Sequence, residues 1–302
     1  MPLGEKMLRL QLSLLHPILE NLNTDTVRSA QEKIGALMSR MHRGKVDSSA
    51  LQFDNFTAEW VIPKTLTRRG VILYLHGGGF VTGDIEYAKG GGSMLAANNG
   101  MRVFCVAYRL APEHPFPAAL DDAFEAYKYL LDEGFAADEI LLCGESAGGG
   151  LCFSLALRLR DAGLPLPKGI IAMSPWTDLT FSGESMENNK DDPSLSRHTL
   201  EYYASAYVTN EHISAPFDHP LVSPLFADLH TLPPSLIFAG GSEMLLSDAV
   251  RIHEKLLDAG CSSELVVAPD MWHVYLLYGI KAADDGHERI EQFIGELMLG
   301  EI

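Results

Sequence analysis

The chain has 302 residues, with 23 Lys and Arg against 40 Asp and Glu, a net charge of −17. That acidity argues against a nucleic-acid or anionic-membrane surface, whose footprint is a basic patch. A chain of this length buries roughly three quarters of the surface it would expose unfolded, so it needs neither disulfide nor metal as a staple. No apolar run approaches the ~20 residues of a membrane span.

Two amphipathic helices come first. Leu3, Met7, Leu10, Leu14 and Ile18 share helical spacing, with a bend possible at Pro17, and Val27, Ile34, Leu37 and Met41 line a second face after Thr24 or Asp25. Strands are predicted at 59–63, 70–75, 103–107, 139–143, 169–175, 235–240 and 264–268. Helices are predicted in the second half of 84–99, over 118–133, after residue 148 to about 160, over 247–259 and over 285–299. Residues 180–232 break the alternation with polar loops, Tyr202, Tyr203 and Tyr207 at helical spacing, and prolines 216, 220 and 224. A stretch of that length inside an alternating pattern reads as a functional insertion. The pattern predicts an α/β fold, a mostly parallel sheet with helices on both faces and ligands bound outside the strands' carboxyl ends.

Gly144-Glu145-Ser146-Ala147-Gly148 joins a predicted strand to a predicted helix. Strand, tight turn with Ser at its tip, and helix is the arrangement that exposes a nucleophilic hydroxyl. A Ser hydroxyl needs a base, donors for an oxyanion and a carboxylate that orients the base. His76-Gly77-Gly78-Gly79-Phe80 follows a strand and exposes backbone N–H groups, so Gly78 and Gly79, with Ala147 after the nucleophile, are the expected oxyanion hole. Gly77 is as plausible a donor as either glycine. His76, ahead of the nucleophile, reads as a hydrogen-bonding prop.

The expected chain order is Ser, acid, His. Glu243 sits at the exit of strand 235–240 and is preferred as the acid. Asp248, with a sufficient role in helix capping, and Asp178 rank behind it. Of the histidines after Glu243, His253 lies mid-helix and His287 at the start of a helix, where surface roles suffice. His273, in a loop after the last strand, is the predicted base. An imidazole must be neutral to accept the proton, so the rate should rise from mildly acid to neutral pH.

Cys105, Cys143, Cys152 and Cys261 form no C-x-x-C pair and read as reduced core thiols. The amino terminus lacks the uninterrupted apolar region and cleavage site of a signal peptide, so a cytoplasmic location is expected.

From about Leu66 to Leu299 the chain resembles the hormone-sensitive-lipase-like branch of the α/β-hydrolases, the bacterial family IV carboxylesterases. The resemblance rests on His76-Gly77-Gly78-Gly79-Phe80, Tyr108-Arg109-Leu110-Ala111-Pro112-Glu113-His114-Pro115-Phe116-Pro117-Ala118-Ala119, the Ser146 motif, Ser174-Pro175-Trp176-Thr177-Asp178-Leu179 and Leu232-Pro233-Pro234. It implies an α/β-hydrolase catalytic domain over 46–302 with a helical cap, built from residues 1–45 and an insertion at 180–230. It also implies hydrolysis of short to medium acyl esters without metal or cofactor. A small-molecule ester as substrate and a homodimer are expected. The chain departs from the family's usual residues with Glu243 for Asp at the acid, Glu145 for Asp before the nucleophile and Val274 for Gly after the His. An acyltransferase or a non-hydrolytic ligand-binding protein on the same scaffold is the alternative function.

Overall fold

The computed structural model describes residues 2–20, 23–209 and 215–298 and, of residues 15–20, the backbone alone. Among the described residues there are eight strands: β1 (Val46–Gln52), β2 (Thr57–Pro63), β3 (Val71–Leu75), β4 (Arg102–Ala107), β5 (Ile140–Glu145), β6 (Gly169–Met173), β7 (Ser235–Gly240) and β8 (Ser263–Ala268). They form one sheet in the order β1-β2-β4-β3-β5-β6-β7-β8. The strands β3 to β8 are parallel, while β1 and β2 complete one side antiparallel.

Nine helices are described: α1 (Leu3–Glu20), α2 (Thr24–His42), α3 (Ile85–Asn99), α4 (Ala118–Asp132), α5 (Ala147–Asp161), α6 (Ser185–Asn188), α7 (Arg197–Val208), α8 (Leu246–Asp258) and α9 (Lys281–Leu297). Strand β3 shows why the sheet is covered twice. Its five residues are all buried, with Val71, Leu73 and Leu75 in one apolar layer and Ile72 and Tyr74 in the other. The first layer includes Leu120 and Tyr127 of α4, Leu151 and Leu155 of α5, and Ile252 of α8. The second includes Leu95 of α3 and Ile290 and Ile294 of α9.

Four expectations change. Strand β1 has no predicted counterpart, because Asp47, Ser48 and Ser49 are exposed and give no apolar periodicity. Helix α3 spans the whole of 85–99, carrying three consecutive glycines that leave room for close contacts. A Cβ on Gly90 would crowd Gly35 of α2, and one on Gly35 would strike the backbone of Glu86 and Tyr87. Helix α9 starts four residues early, at Lys281, and Leu299 lies outside the described residues. The amino-terminal helices form, and α1 runs through Pro17, but their apolar stripes turn outward. Leu3, Met7, Leu10 and Leu14 on α1 and Ile34, Leu37 and Met41 on α2 are all exposed. The side chain of Ile18 lies outside the described residues. Helical spacing shows that a stripe exists, not what it faces.

Candidate active site

The turn between β5 and α5 carries Ser146 at φ 54° and ψ −122°, backbone that a side chain rarely adopts. The surroundings hold it there. Ser146 N–H donates to the Met173 carbonyl at 2.9 Å, and Trp176 N–H donates to the Ser146 carbonyl at 2.9 Å. A Cβ on Gly148 would collide with the carbonyl oxygens of Leu75 and His76, so glycine is obligatory where α5 passes the end of β3.

His273 arrives from the loop after β8, with Met271 and Trp272 buried as its anchors. Its Nε2 is 2.9 Å from Ser146 Oγ. Glu243, just past β7, is fully buried, and its Oε2 accepts from Ser174 Oγ at 2.7 Å and from Gly240 N–H at 2.9 Å. The same oxygen is 3.9 Å from His273 Nδ1, a close pair but not a hydrogen bond. Neither Glu243 Oε1 nor His273 Nδ1 has a hydrogen-bond partner among the described residues. Burial pushes the Glu243 carboxyl above its ordinary range, against the pull of His273, Ser174 and Gly240.

The glycine loop follows β3 directly. Gly77 N–H is taken by Glu145 Oε1 at 2.6 Å. Among the described residues, no hydrogen bond uses the N–H of Gly78, Gly79 or Ala147. Gly77 is thereby removed from the three glycines that could serve as donors. His76 is buried, donates from Nδ1 to the Gly77 carbonyl at 2.7 Å and stacks on Tyr108 at 4.2 Å, so it is the prop it was expected to be. Burial lowers it to about 4.

The other candidates have structural work. Asp248 is no helix cap facing solvent. It is fully buried, and its Oδ2 accepts from the N–H of Thr177 and Asp178 at 2.9 and 2.8 Å. Asp178 accepts from Ser182, Thr180 and Arg251. His253 reaches Ser263 Oγ at 2.8 Å. His287 is half-buried rather than solvated, with its Nε2 2.9 Å from the Leu276 carbonyl.

This geometry has close relatives. The family described as alpha/beta hydrolase fold matches residues 72–277. The chain belongs to the α/β-hydrolase family. An acetyl-hydrolase of Streptomyces hygroscopicus is 38 % identical over 255 residues, 82 % of this hydrolase and 80 % of that protein. An esterase of Acinetobacter venetianus is 38 % identical over 209 residues, 69 % of this chain and 68 % of its own. A solved esterase of the bacterial hormone-sensitive lipase family superposes with a TM-score of 0.84 at 33 % identity, covering 97 % of this chain and 98 % of its own. The esterase EstE5 superposes at 0.87 with 32 % identity, covering 96 % and 99 %. The hydrolase thus sits in the hormone-sensitive-lipase-like branch, and it is a carboxylic-ester hydrolase.

Two partnerships at the hydrolase's site escaped the sequence reading, although both residues are named in it. Ser174 bridges Glu243 and the histidine loop, donating to Oε2 and accepting Val274 N–H at 3.0 Å. Glu145 holds Gly77. The local signals for the second are an acid closing an otherwise apolar strand and the departure from the family's usual Asp. A cavity of about 240 Å³ between α2, β1 and α3, lined by Arg40, Arg43, Glu86 and Lys89 among others, contains none of the site residues of the hydrolase.

Proposed function

We propose that Ser146 is the nucleophile of a serine carboxylesterase that hydrolyses short to medium acyl esters through an acyl-enzyme. The observation that carries this is the 2.9 Å pairing of Ser146 Oγ with His273 Nε2, beside three N–H groups without acceptors among the described residues. His273 takes the hydroxyl proton as Ser146 attacks the ester carbonyl. The amides of Gly78, Gly79 and Ala147 receive the oxyanion, and Glu243 orients the imidazole. His273 returns the proton to the departing alcohol. Water then attacks the acyl-enzyme by the reverse use of the same groups.

The acyl-size assignment draws on the acetyl-hydrolase relative and on the EstE5 structure soaked with p-nitrophenyl butyrate. The proposal includes a cap of residues 1–45 and 180–230. Thr24 Oγ1 of α2 lies 3.0 Å from Tyr202 Oη of α7, and Arg9 of α1 donates to the Asp270 carbonyl at 2.9 Å, beside the histidine loop. It also includes a homodimer, for which the exposed apolar side chains of α1 and α2 offer a contact surface, and a cytoplasmic location, in keeping with four free and buried cysteines. Among the described residues no helix is long and apolar enough to cross a membrane. No observation favours an acyltransferase or a non-hydrolytic binder.

The test is Ser146→Ala with p-nitrophenyl butyrate. Turnover should vanish while the thermal midpoint is kept. Retained turnover would sink the proposal.

A further inference from the structure

Glu145 is the last residue of β5, next to the nucleophile, and it is buried. Burying a carboxylate is costly unless its oxygens find strong donors. Here they do. Oε2 accepts from Tyr74 Oη at 2.6 Å and Oε1 accepts from Gly77 N–H at 2.6 Å. Burial pushes this acid up to about 7, against the downward pull of both hydrogen bonds.

The second bond bears on the glycine loop. Each peptide unit is a rigid plane, so fixing its two polar ends fixes its orientation. The unit joining His76 to Gly77 is held at both ends. Glu145 takes its N–H, and its carbonyl accepts from Tyr108 Oη at 2.6 Å. The next unit, joining Gly77 to Gly78, is held at one end only, where its carbonyl accepts from His76 Nδ1 at 2.7 Å. The free end is the Gly78 N–H. Gly78 and Gly79 then take φ of 110° and 63°, values at which a glycine backbone has wide freedom. Downstream, the Gly78 carbonyl accepts from Val81 N–H at 3.1 Å and from Thr82 N–H and Oγ1 at 2.9 Å. The Gly78 N–H is thus set from both sides, and Glu145 supplies the upstream hold.

We propose that Glu145 is a positioning residue of the oxyanion hole: its carboxylate clamps the Gly77 N–H, and through that peptide it fixes the direction in which Gly78 presents its N–H beside Ser146. This rests on the reading of Ser146 as nucleophile and Gly78 as donor. Glu145 touches no substrate. Its effect falls on the transition state, when the carbonyl oxygen gains charge and needs a donor already in place.

The experiment compares Glu145→Ala, Glu145→Gln and Tyr74→Phe in the full chain. It measures kcat and KM for p-nitrophenyl butyrate and the inhibition constant of a phenylboronic acid, which forms a tetrahedral adduct on serine. In Glu145→Ala, kcat should fall about 10²-fold and boronate inhibition weaken by a like factor, while KM stays within about threefold. Glu145→Gln keeps a carbonyl acceptor for Gly77 and should restore kcat to within about tenfold of wild type. Tyr74→Phe leaves the Gly77 bond and should cost less than about fivefold. Should Glu145→Ala fail to fold, Glu145→Leu, which also offers Gly77 no acceptor, takes its place. Boronate inhibition weakened by Glu145→Leu more than by Tyr74→Phe supports the clamp, and equal effects overturn it. A folded Glu145→Ala with kcat and boronate inhibition unchanged also overturns it. Loss of activity in Ser146→Ala alongside an active Glu145→Ala would reject the clamp alone. An active Ser146→Ala would reject the site reading beneath it.

Discussion

Glu243 is held closer by Ser174 than by His273: its Oε2 is 2.7 Å from Ser174 Oγ and 3.9 Å from His273 Nδ1. A glutamate reaches one methylene further than an aspartate, and Ser174 and Gly240 fix where that reach ends. In the triad reading, Glu243→Ala should lower kcat by on the order of 10²–10⁴. Ser174→Ala removes a tether without removing the charge and should cost less than about tenfold. Steady-state kinetics on both variants checks the order. Equal losses would mean that Glu243 orients the base only while Ser174 holds it.

Asp248 separates stability from chemistry. Asp248→Ala strips two buried N–H groups of their acceptor, those of Thr177 and Asp178. The expected loss is about 2–4 kcal/mol of unfolding free energy, read from urea denaturation. The kcat of the folded fraction should stay within about threefold of wild type. A collapse of kcat with intact stability would return Asp248 to the list of candidate acids.

Two buried groups near the site pull stability in opposite directions with pH. His76 is lowered from 6.5 to about 4 by burial, so the fold favours the neutral ring, and that contribution is lost as pH falls from 6.5 toward 4. Glu145 is raised from 4.5 to about 7, so the fold binds its proton more tightly than the unfolded chain does. Its contribution is present below 4.5 and is lost as pH rises toward 7. Over the shared window the two slopes oppose each other. In Glu145→Gln only one remains, and stability should climb relative to wild type by about 1.4 kcal/mol per pH unit between those limits. Denaturation of both proteins across the window tests this, and parallel curves would refute it.

Tyr203 of α7 lies over the glycine loop, so closely that a Cβ on Gly79 would strike its ring. Tyr207, by contrast, is buried core stacked on Phe80 at 3.8 Å, and Trp272 is core as well. Tyr203→Ala should therefore open room beside the oxyanion donors. The ratio of kcat/KM for p-nitrophenyl octanoate to that for butyrate should rise about tenfold. An unchanged ratio would place the acyl chain elsewhere.

The candidate groups of the site were legible because their residue types and chain order are constrained. A serine at a strand-to-helix turn, consecutive glycines after a strand and a histidine after the last strand leave few choices. The partnerships were not legible. Glu145 meets Gly77 across 68 residues and Ser174 meets Glu243 across 69, contacts that exist only once the parallel strands are side by side. Strand β1 was hidden for a different reason. An outer strand with exposed serines needs no apolar face, since its pairing with β2 is made by backbone.

The crossing of α2 over α3 bears on motion. The two helices meet glycine to glycine, Gly35 against Gly90, with backbone on backbone. Arg28 adds a bidentate pair to Glu113 at 2.8 Å and donates to the carbonyls of Val81 and Ala111 at 2.9 Å. At that crossing backbone rests on backbone, which leaves α2 little room to slide along α3. A motion that admits an ester to Ser146 would fall instead to α7, whose Tyr203 ring lies against Gly79.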